Sequence, residues 1–289
     1  MATGTGHSNA GQTAHSNAGQ TAKSAGHRAA NSRALRWLAR AGLAARGIMY
    51  IIVGWIAVEV AFGHSSQKAD RSGALQEISS KPVGGVLIWL LAVGFIGMAL
   101  WRLSEAAFGS PGSGDEHKTG KRLAALGRAV VYAVISWSVL KYALGEGTKS
   151  SDKQSVDLTA TLLKYPGGQA LVVVIGLALI GGGVYLAYSA WKEKFRKDLE
   201  FGQAGTRVRR IVEWLGKFGG MARGAVFVTA GIFLVVAAVQ AKPQQAKGVD
   251  SALRTLASTP LGPWLLVLVA IGLIMFGLFS IGQAKWRRL

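Results

Sequence analysis

The pattern that most constrains this chain is a short block that occurs three times, each time opening an apolar run. It reads Ala45-Arg46-Gly47-Ile48-Met49-Tyr50, then Gly127-Arg128-Ala129-Val130-Val131-Tyr132, then Ala222-Arg223-Gly224-Ala225-Val226-Phe227. In each copy an arginine is followed by a small residue and, four positions on, by an aromatic. Six residues before the arginine lie Arg40, Arg122 and Lys217; eight after it lie Gly54, Ser136 and Gly231. A block repeated in register predicts repeated structural units, and the run of roughly twenty apolar residues behind each copy is long enough to cross a bilayer.

A second register is counted from proline. Pro82-Val83-Gly84, Pro166-Gly167-Gly168 and Pro260-Leu261-Gly262 each precede another apolar run, and proline suits the first turn of a helix. Nineteen residues beyond these prolines come Trp101, Tyr185 and Phe279, aromatics at the depth where a span leaves the bilayer. Before the prolines, Leu75 and Ile78, Leu158 and Leu162, and Leu253 and Leu256 predict a short amphipathic turn on the membrane surface ahead of each second span.

The chain is therefore expected to be all-α: six transmembrane helices at approximately 43–63, 84–104, 125–145, 167–190, 221–241 and 261–282. Two spans per unit bring every copy into the membrane from the same side, so the repeats are parallel, with pseudo-three-fold symmetry about the membrane normal. The units run from 35 to 109, from 122 to 195 and from 207 to 289, joined by linkers at 110–121 and 196–206. The third unit begins with an expected interfacial helix, in which Val208, Ile211, Val212 and Leu215 share a face. Residues 1–34, where HSNAGQTA occurs twice in tandem, have almost nothing apolar to bury and are expected to be a disordered tail without the apolar core of a signal peptide.

Half of the 289 residues are hydrophobic and only 16% are charged, which disfavours an ordinary soluble domain. The net charge of +19 flanks the spans and forms no separate basic domain, so it bears on topology and not on nucleic acid. Of the 33 lysines and arginines, 23 fall on the side that holds both termini, which is expected to place those termini in the cytoplasm. The absence of cysteine removes disulfides and thiol chemistry.

Three units of Ala-Arg-Gly-x-x-Tyr, a short Ala-Leu segment (Ala74-Leu75, Ala252-Leu253), then Pro-x-Gly and a Gly/Ala-rich span resemble the bacterial membrane family known as domain of unknown function 1206, found mainly in actinobacteria. The resemblance covers about residues 35 to 288. It is weakest in the middle unit, where Ala129 replaces the motif glycine, Ser136 the next small glycine, and Leu158-Thr159 the Ala-Leu pair. The resemblance implies a six-span inner-membrane protein and brings no activity or catalytic residue with it.

Three sets of residues are candidates for function. Arg46, Arg128 and Arg223, with Arg40, Arg122 and Lys217 behind them, suit contact with an anion or anionic lipid head groups; the plainer reading has the motif arginines snorkel to the head-group layer as anchors. Glu59 lies thirteen residues past Arg46, about 20 Å further across at helical rise, and the matched residue in the second unit is Lys141. Opposite charges at that depth are a candidate intramembrane pair. The glycines, and Ala178-x-x-x-Gly182, suit close helix packing. No nucleotide loop, nucleophile elbow or zinc motif occurs, His64 and His117 lie on opposite sides, and no cofactor or metal is implied. The expected role is non-enzymatic: a structural, lipid-interacting component, or one that organises a membrane protein partner, with a small-solute or ion transporter along the pseudo-three-fold axis as the alternative.

Overall fold

The computed structural model describes residues 33–64, 67–108, 119–202, 204–257 and 262–287. The tandem repeat at 7–22 and His117 lie outside them. Among the described residues nine α-helices follow in order: α1 Arg33–Ala61, α2 Arg71–Ser79, α3 Gly84–Phe108, α4 Thr119–Ala143, α5 Ser151–Leu163, α6 Gly168–Trp191, α7 Thr206–Val239, α8 Val249–Ala257 and α9 Gly262–Trp286. Six of them (α1, α3, α4, α6, α7 and α9) are long and apolar enough to span a membrane, in the three two-helix units that the repeat demands. The second spans begin where Pro-x-Gly places them. At Gly84 an added Cβ would stand 2.1 Å from the Ile78 carbonyl oxygen, and at Gly168 1.7 Å from that of Leu162. In the first two units the last turn of the short helix thus folds down onto a glycine, which is why the residue two after proline has no side chain there.

Two helices start earlier than the apolar runs alone suggest. α1 begins at Arg33, and Ala39, Gly42 and Leu43 in its first half are buried. The segment expected to be a separate interfacial helix is the opening of α7, which continues without a break into the span and runs 34 residues. That length is about 50 Å, well over the roughly 30 Å of a hydrocarbon core. Its start is held by packing as well: Val212 is buried with Leu199, Phe276 and Phe279, and Gly216 lets Phe195 and Phe279 approach. Glu213 takes ion pairs from Arg196 and Arg209, at 2.9 and 3.0 Å.

The helices associate most closely between units, not within them. α9 packs on α1, α3 on α4 and α6 on α7; within units, α1 packs on α3 and α7 on α9. The contacts of α9 on α1 and of α6 on α7 have the same construction. Gly47 and Gly277 face each other across α1 and α9, an added Cβ on either falling 2.6–2.7 Å from the other's carbonyl oxygen. Gly224 and Gly183 do the same across α7 and α6, at 2.6–2.7 Å. Two turns along, Gly54 meets Ala270 and Gly231 meets Gly176. In the pair formed by α3 and α4 these positions are filled by alanine and serine: Ala129 and Ser136 on α4 correspond to Ala99 and Ala92 on α3. Ser136 turns its hydroxyl back to the Tyr132 carbonyl at 2.7 Å, so it packs as a small residue with no polar demand on its neighbour.

The second unit breaks the symmetry. Its two spans, α4 and α6, have little direct packing, and the six spans form an arc running α4, α3, α1, α9, α7, α6 with a seam between its ends. In the first unit Gly42 lies against Gly94, and in the third Gly272 against Ala222. The matching small residues of the second unit, Ala124 and Ala178, are exposed, and a Cβ added at Gly127, Gly181 or Gly182 meets nothing within 4 Å. The close packing expected of Ala178-x-x-x-Gly182 is therefore not made: the stripe is present and its partner helix stands off.

At the end opposite the motif arginines, the three short helices close the arc into a ring. Asp70 caps α2 through Oδ1, which accepts from the Ser72 and Gly73 amides, while Oδ2 accepts from the Ser151 amide and hydroxyl at 2.6 and 2.7 Å. Asp152 accepts from the Gly248 amide at 2.7 Å and the Ser251 hydroxyl at 2.6 Å. Asp250 completes the circuit, accepting from the Ala69 amide at 2.8 Å and from Arg254. Each unit thus presents one carboxylate to the next. Burial pushes the Asp70 carboxyl up, but the bonds from Ser72, Ser151 and Gly73 outweigh it and hold Asp70 below the ordinary carboxylate value of 3.8. At Asp250 burial prevails and raises the carboxyl. Ala74, Leu75, Ile78, Thr159 and Leu253 are buried beneath the ring. In the second unit Leu158, grouped by its spacing with the buried Leu75 and Leu253, is exposed, because α5 starts earlier relative to its proline and Thr159 takes the inward position.

Candidate functional site

The motif arginines sit on α1, α4 and α7, the first span of each unit, and they do not behave alike. Arg46 is buried and turned into the bundle, so the snorkelling expected of it does not occur. Its Nε donates to the Ser280 hydroxyl at 3.1 Å, Nη2 to Gln283 Oε1 at 2.6 Å and Nη1 to the Tyr132 hydroxyl at 3.3 Å, with the guanidinium 5.2 Å from the Phe276 ring. Buried charge is tolerated only when its donors are satisfied, and all three directions of this fork have an acceptor. Ser280 and Gln283 are three residues apart on α9 and so share a face; two polar residues at that spacing inside an apolar run are the signal that marks them.

Arg223 is held by aromatic faces alone. Its guanidinium lies 5.7 Å from Tyr50, 5.2 Å from Phe227 and 4.9 Å from Phe276, its Nε is buried without a partner, and it makes no hydrogen bond or ion pair among the described residues. A rotation from unit to unit is visible here. Arg46 of the first unit reaches Tyr132 of the second, and Arg223 of the third reaches Tyr50 of the first. The remaining step, Arg128 of the second unit to Phe227 of the third, crosses the seam and is not made; Arg128 is exposed, without a hydrogen bond or ion pair among the described residues. Its electrostatic neighbours are Arg102, Glu105, Tyr132 and Asp198.

A second layer of charge surrounds this centre. Arg102 and Glu105, both buried, pair at 2.5 Å, and Trp101 is flanked by Arg102 at 4.3 Å and Arg287 at 4.8 Å. Arg287 reaches Asp198 at 3.8 Å, and burial, followed by repulsion from Arg102, lowers its guanidinium to about 10. Arg46, Arg223 and Arg102 all act on the Tyr132 hydroxyl. That hydroxyl is buried, accepts from Arg46 and donates to nothing among the described residues. Five arginines (Arg46, Arg102, Arg128, Arg223 and Arg287) thus meet two carboxylates, Glu105 and Asp198, at this end of the bundle. Sequence reasoning reached three of the five and missed Arg102, Arg287 and their partners.

The other candidates stand apart from this centre. The side chain of Arg122 lies outside the described residues. Arg40 lies 5.8 Å from the Trp37 ring, and Lys217 sits 4.6 Å from Trp191 and 3.4 Å from Glu193. Trp37 and Trp214, which match in register, are both exposed on the outer surface. Glu59 and Lys141 are not brought together: Glu59 accepts from Trp55 at 2.9 Å, and Lys141 pairs with Glu146 at 2.7 Å, each served within its own unit. Among the described residues no group of three or more His, Cys, Asp or Glu side chains is placed to hold a metal ion.

Three parallel two-helix units around an arginine-lined centre define a six-span, all-helical membrane protein built by internal triplication. The chain belongs to the family described as Domain of Unknown Function (DUF1206), which matches it three times, at residues 41–109, 123–193 and 218–287. It is 30% identical over 256 residues, 88% of this chain and 92% of the relative, to the uncharacterized protein YxxB of Bacillus subtilis (strain 168). No solved structure matches the chain.

Proposed function

We propose that this protein is a non-enzymatic structural component of a bacterial cell membrane, seated with both termini in the cytoplasm, that interacts with anionic lipid and organises a membrane protein partner. The observation that carries this reading is the commitment of the polar groups at the short-helix end to one another. The end with the short helices is tied shut by the Asp70, Asp152 and Asp250 circuit, and a solute moving along the axis has to break that circuit to pass. Glu59, one half of the candidate intramembrane pair, is bound to Trp55 on its own helix. Exposed Trp37 and Trp214, with Arg40 and Lys217 beside them in sequence, supply the mixture of indole and cation that suits a head-group layer.

The test is purification in mild detergent with identification of the co-purifying lipids and proteins, beside flux measurements on reconstituted vesicles. Anionic lipid enriched over the bulk membrane, a recurrent membrane partner and no solute flux are expected. A flux that disappears in Glu59→Gln overturns the reading.

A further inference from the structure

We propose that the arginine-lined end of the seam between α4 and α6 binds the phosphate of an anionic phospholipid, with an acyl chain lying along the exposed small residues of the two helices. This deepens the lipid-interacting reading above and rests on it. The centre has donors without acceptors. Among the described residues Arg223 Nε and Arg102 Nε are buried and unpartnered, the Tyr132 hydroxyl has no acceptor for its proton, and Arg128 stands at the open step of the rotation that Arg46 and Arg223 complete elsewhere. Buried donors without acceptors are costly, and guanidinium donors match the oxygens of a phosphate in geometry as well as charge. An oxyanion at this point supplies the missing acceptors.

The seam explains why the phosphate belongs to a lipid. It flanks the bundle exterior, where lipid tails are the solvent, and its walls bear the stripe of Ala124, Gly127, Ala178, Gly181 and Gly182, which the first and third units use for helix contact. Those residues leave room beside the helices, and the charge at the mouth selects an anionic head group. A zwitterionic lipid carries the same phosphate with a cationic group beside it, which the surrounding arginines repel.

The experiment is a titration of the full-length protein in mild detergent with phosphatidylglycerol, phosphatidylcholine or inorganic phosphate, read by melting temperature and by native mass spectrometry. Phosphatidylglycerol is expected to raise the melting temperature and to persist as a single tightly held lipid, whereas the other two leave both unchanged. Arg128→Gln and Arg223→Gln are each expected to weaken phosphatidylglycerol by about tenfold, the loss of one charge-assisted contact. Arg128 is exposed, so its variant keeps the test open if Arg223→Gln fails to fold. Gly181→Leu fills the seam without touching a neighbour; it should lose the lipid and keep the unliganded melting temperature of the parent.

Equal phosphatidylglycerol affinity in the parent and these variants overturns the site. Protection by inorganic phosphate alone overturns its assignment to lipid. Solute flux in vesicles overturns the structural reading of the protein, whereas loss of this site without flux leaves that reading in place.

Discussion

Arg46 and Arg223 occupy the same position of the same motif, yet one is saturated with hydrogen bonds and the other is clamped by rings alone. The difference comes from the neighbours, since Ser280 and Gln283 lie opposite Arg46. Replacing Gln283 with leucine removes the shortest of its acceptors and leaves a buried guanidinium donor unpaired, a loss of about 1–3 kcal/mol. Thermal unfolding of Gln283→Leu in detergent should show a clear drop in melting temperature, and an unchanged value would mean that Arg46 finds water in its place. The motif made the presence of these arginines legible. Their orientation was not, because the snorkelling expectation treats each span as if it stood alone in lipid, whereas Arg46 has polar partners on α4 and α9 more than eighty residues away.

Between helices, the units use glycine where backbones must touch. Gly224→Leu drives a side chain into the Gly183 carbonyl and is expected to cost about 1–3 kcal/mol or to prevent folding. Gly181→Leu on the same partner helix points into open space and should stay within about 0.5 kcal/mol of the parent. A chemical denaturation series on the pair measures the contrast directly. Glycine frequency alone could not have separated Gly183, which Gly224 meets, from Gly181, since both belong to one Gly-rich run. The ring of short helices offers a pH test. Asp70 titrates below its ordinary value in the folded protein, so its contribution is present above about 3.8 and is lost as pH falls through the folded-state value. Parent and Asp70→Asn should therefore differ in melting temperature at pH 6 and converge in strong acid; a constant gap would contradict the capping role. The prolines and leucines announced these helices, but only two of the carboxylates that link them, Asp70 and Asp152, stand at one position from the motif arginine, and Asp250 departs from it, so the repeat did not reveal the circuit.

At the scale of the molecule, length and hydropathy placed the six spans to within a few residues at most ends, because crossing a bilayer leaves little freedom in how long an apolar helix is. Symmetry was legible too, and so was the middle unit's departure from it, in Ala129, Ser136 and Thr159. What those departures do was not legible: the small-residue stripe of the second unit survives in sequence while its two spans stand apart. The seam is the central claim, since the lipid site depends on it. The protein has no cysteine, so pairs can be introduced cleanly. Ala45→Cys with Gly94→Cys joins α1 to α3, where an added Cβ on Gly94 lies 2.9 Å from the Ala45 Cβ. Gly127→Cys with Ala178→Cys occupies the matching positions of α4 and α6. A disulfide needs Cβ atoms about 3.5–4.5 Å apart. A small outward shift of α1 from α3 brings the first pair into that range, whereas a Cβ at Gly127 meets nothing within 4 Å. Oxidation in native membranes should therefore cross-link the first pair readily and leave the second reduced, and equal cross-linking of both would mean that α4 and α6 are in contact and the seam does not exist.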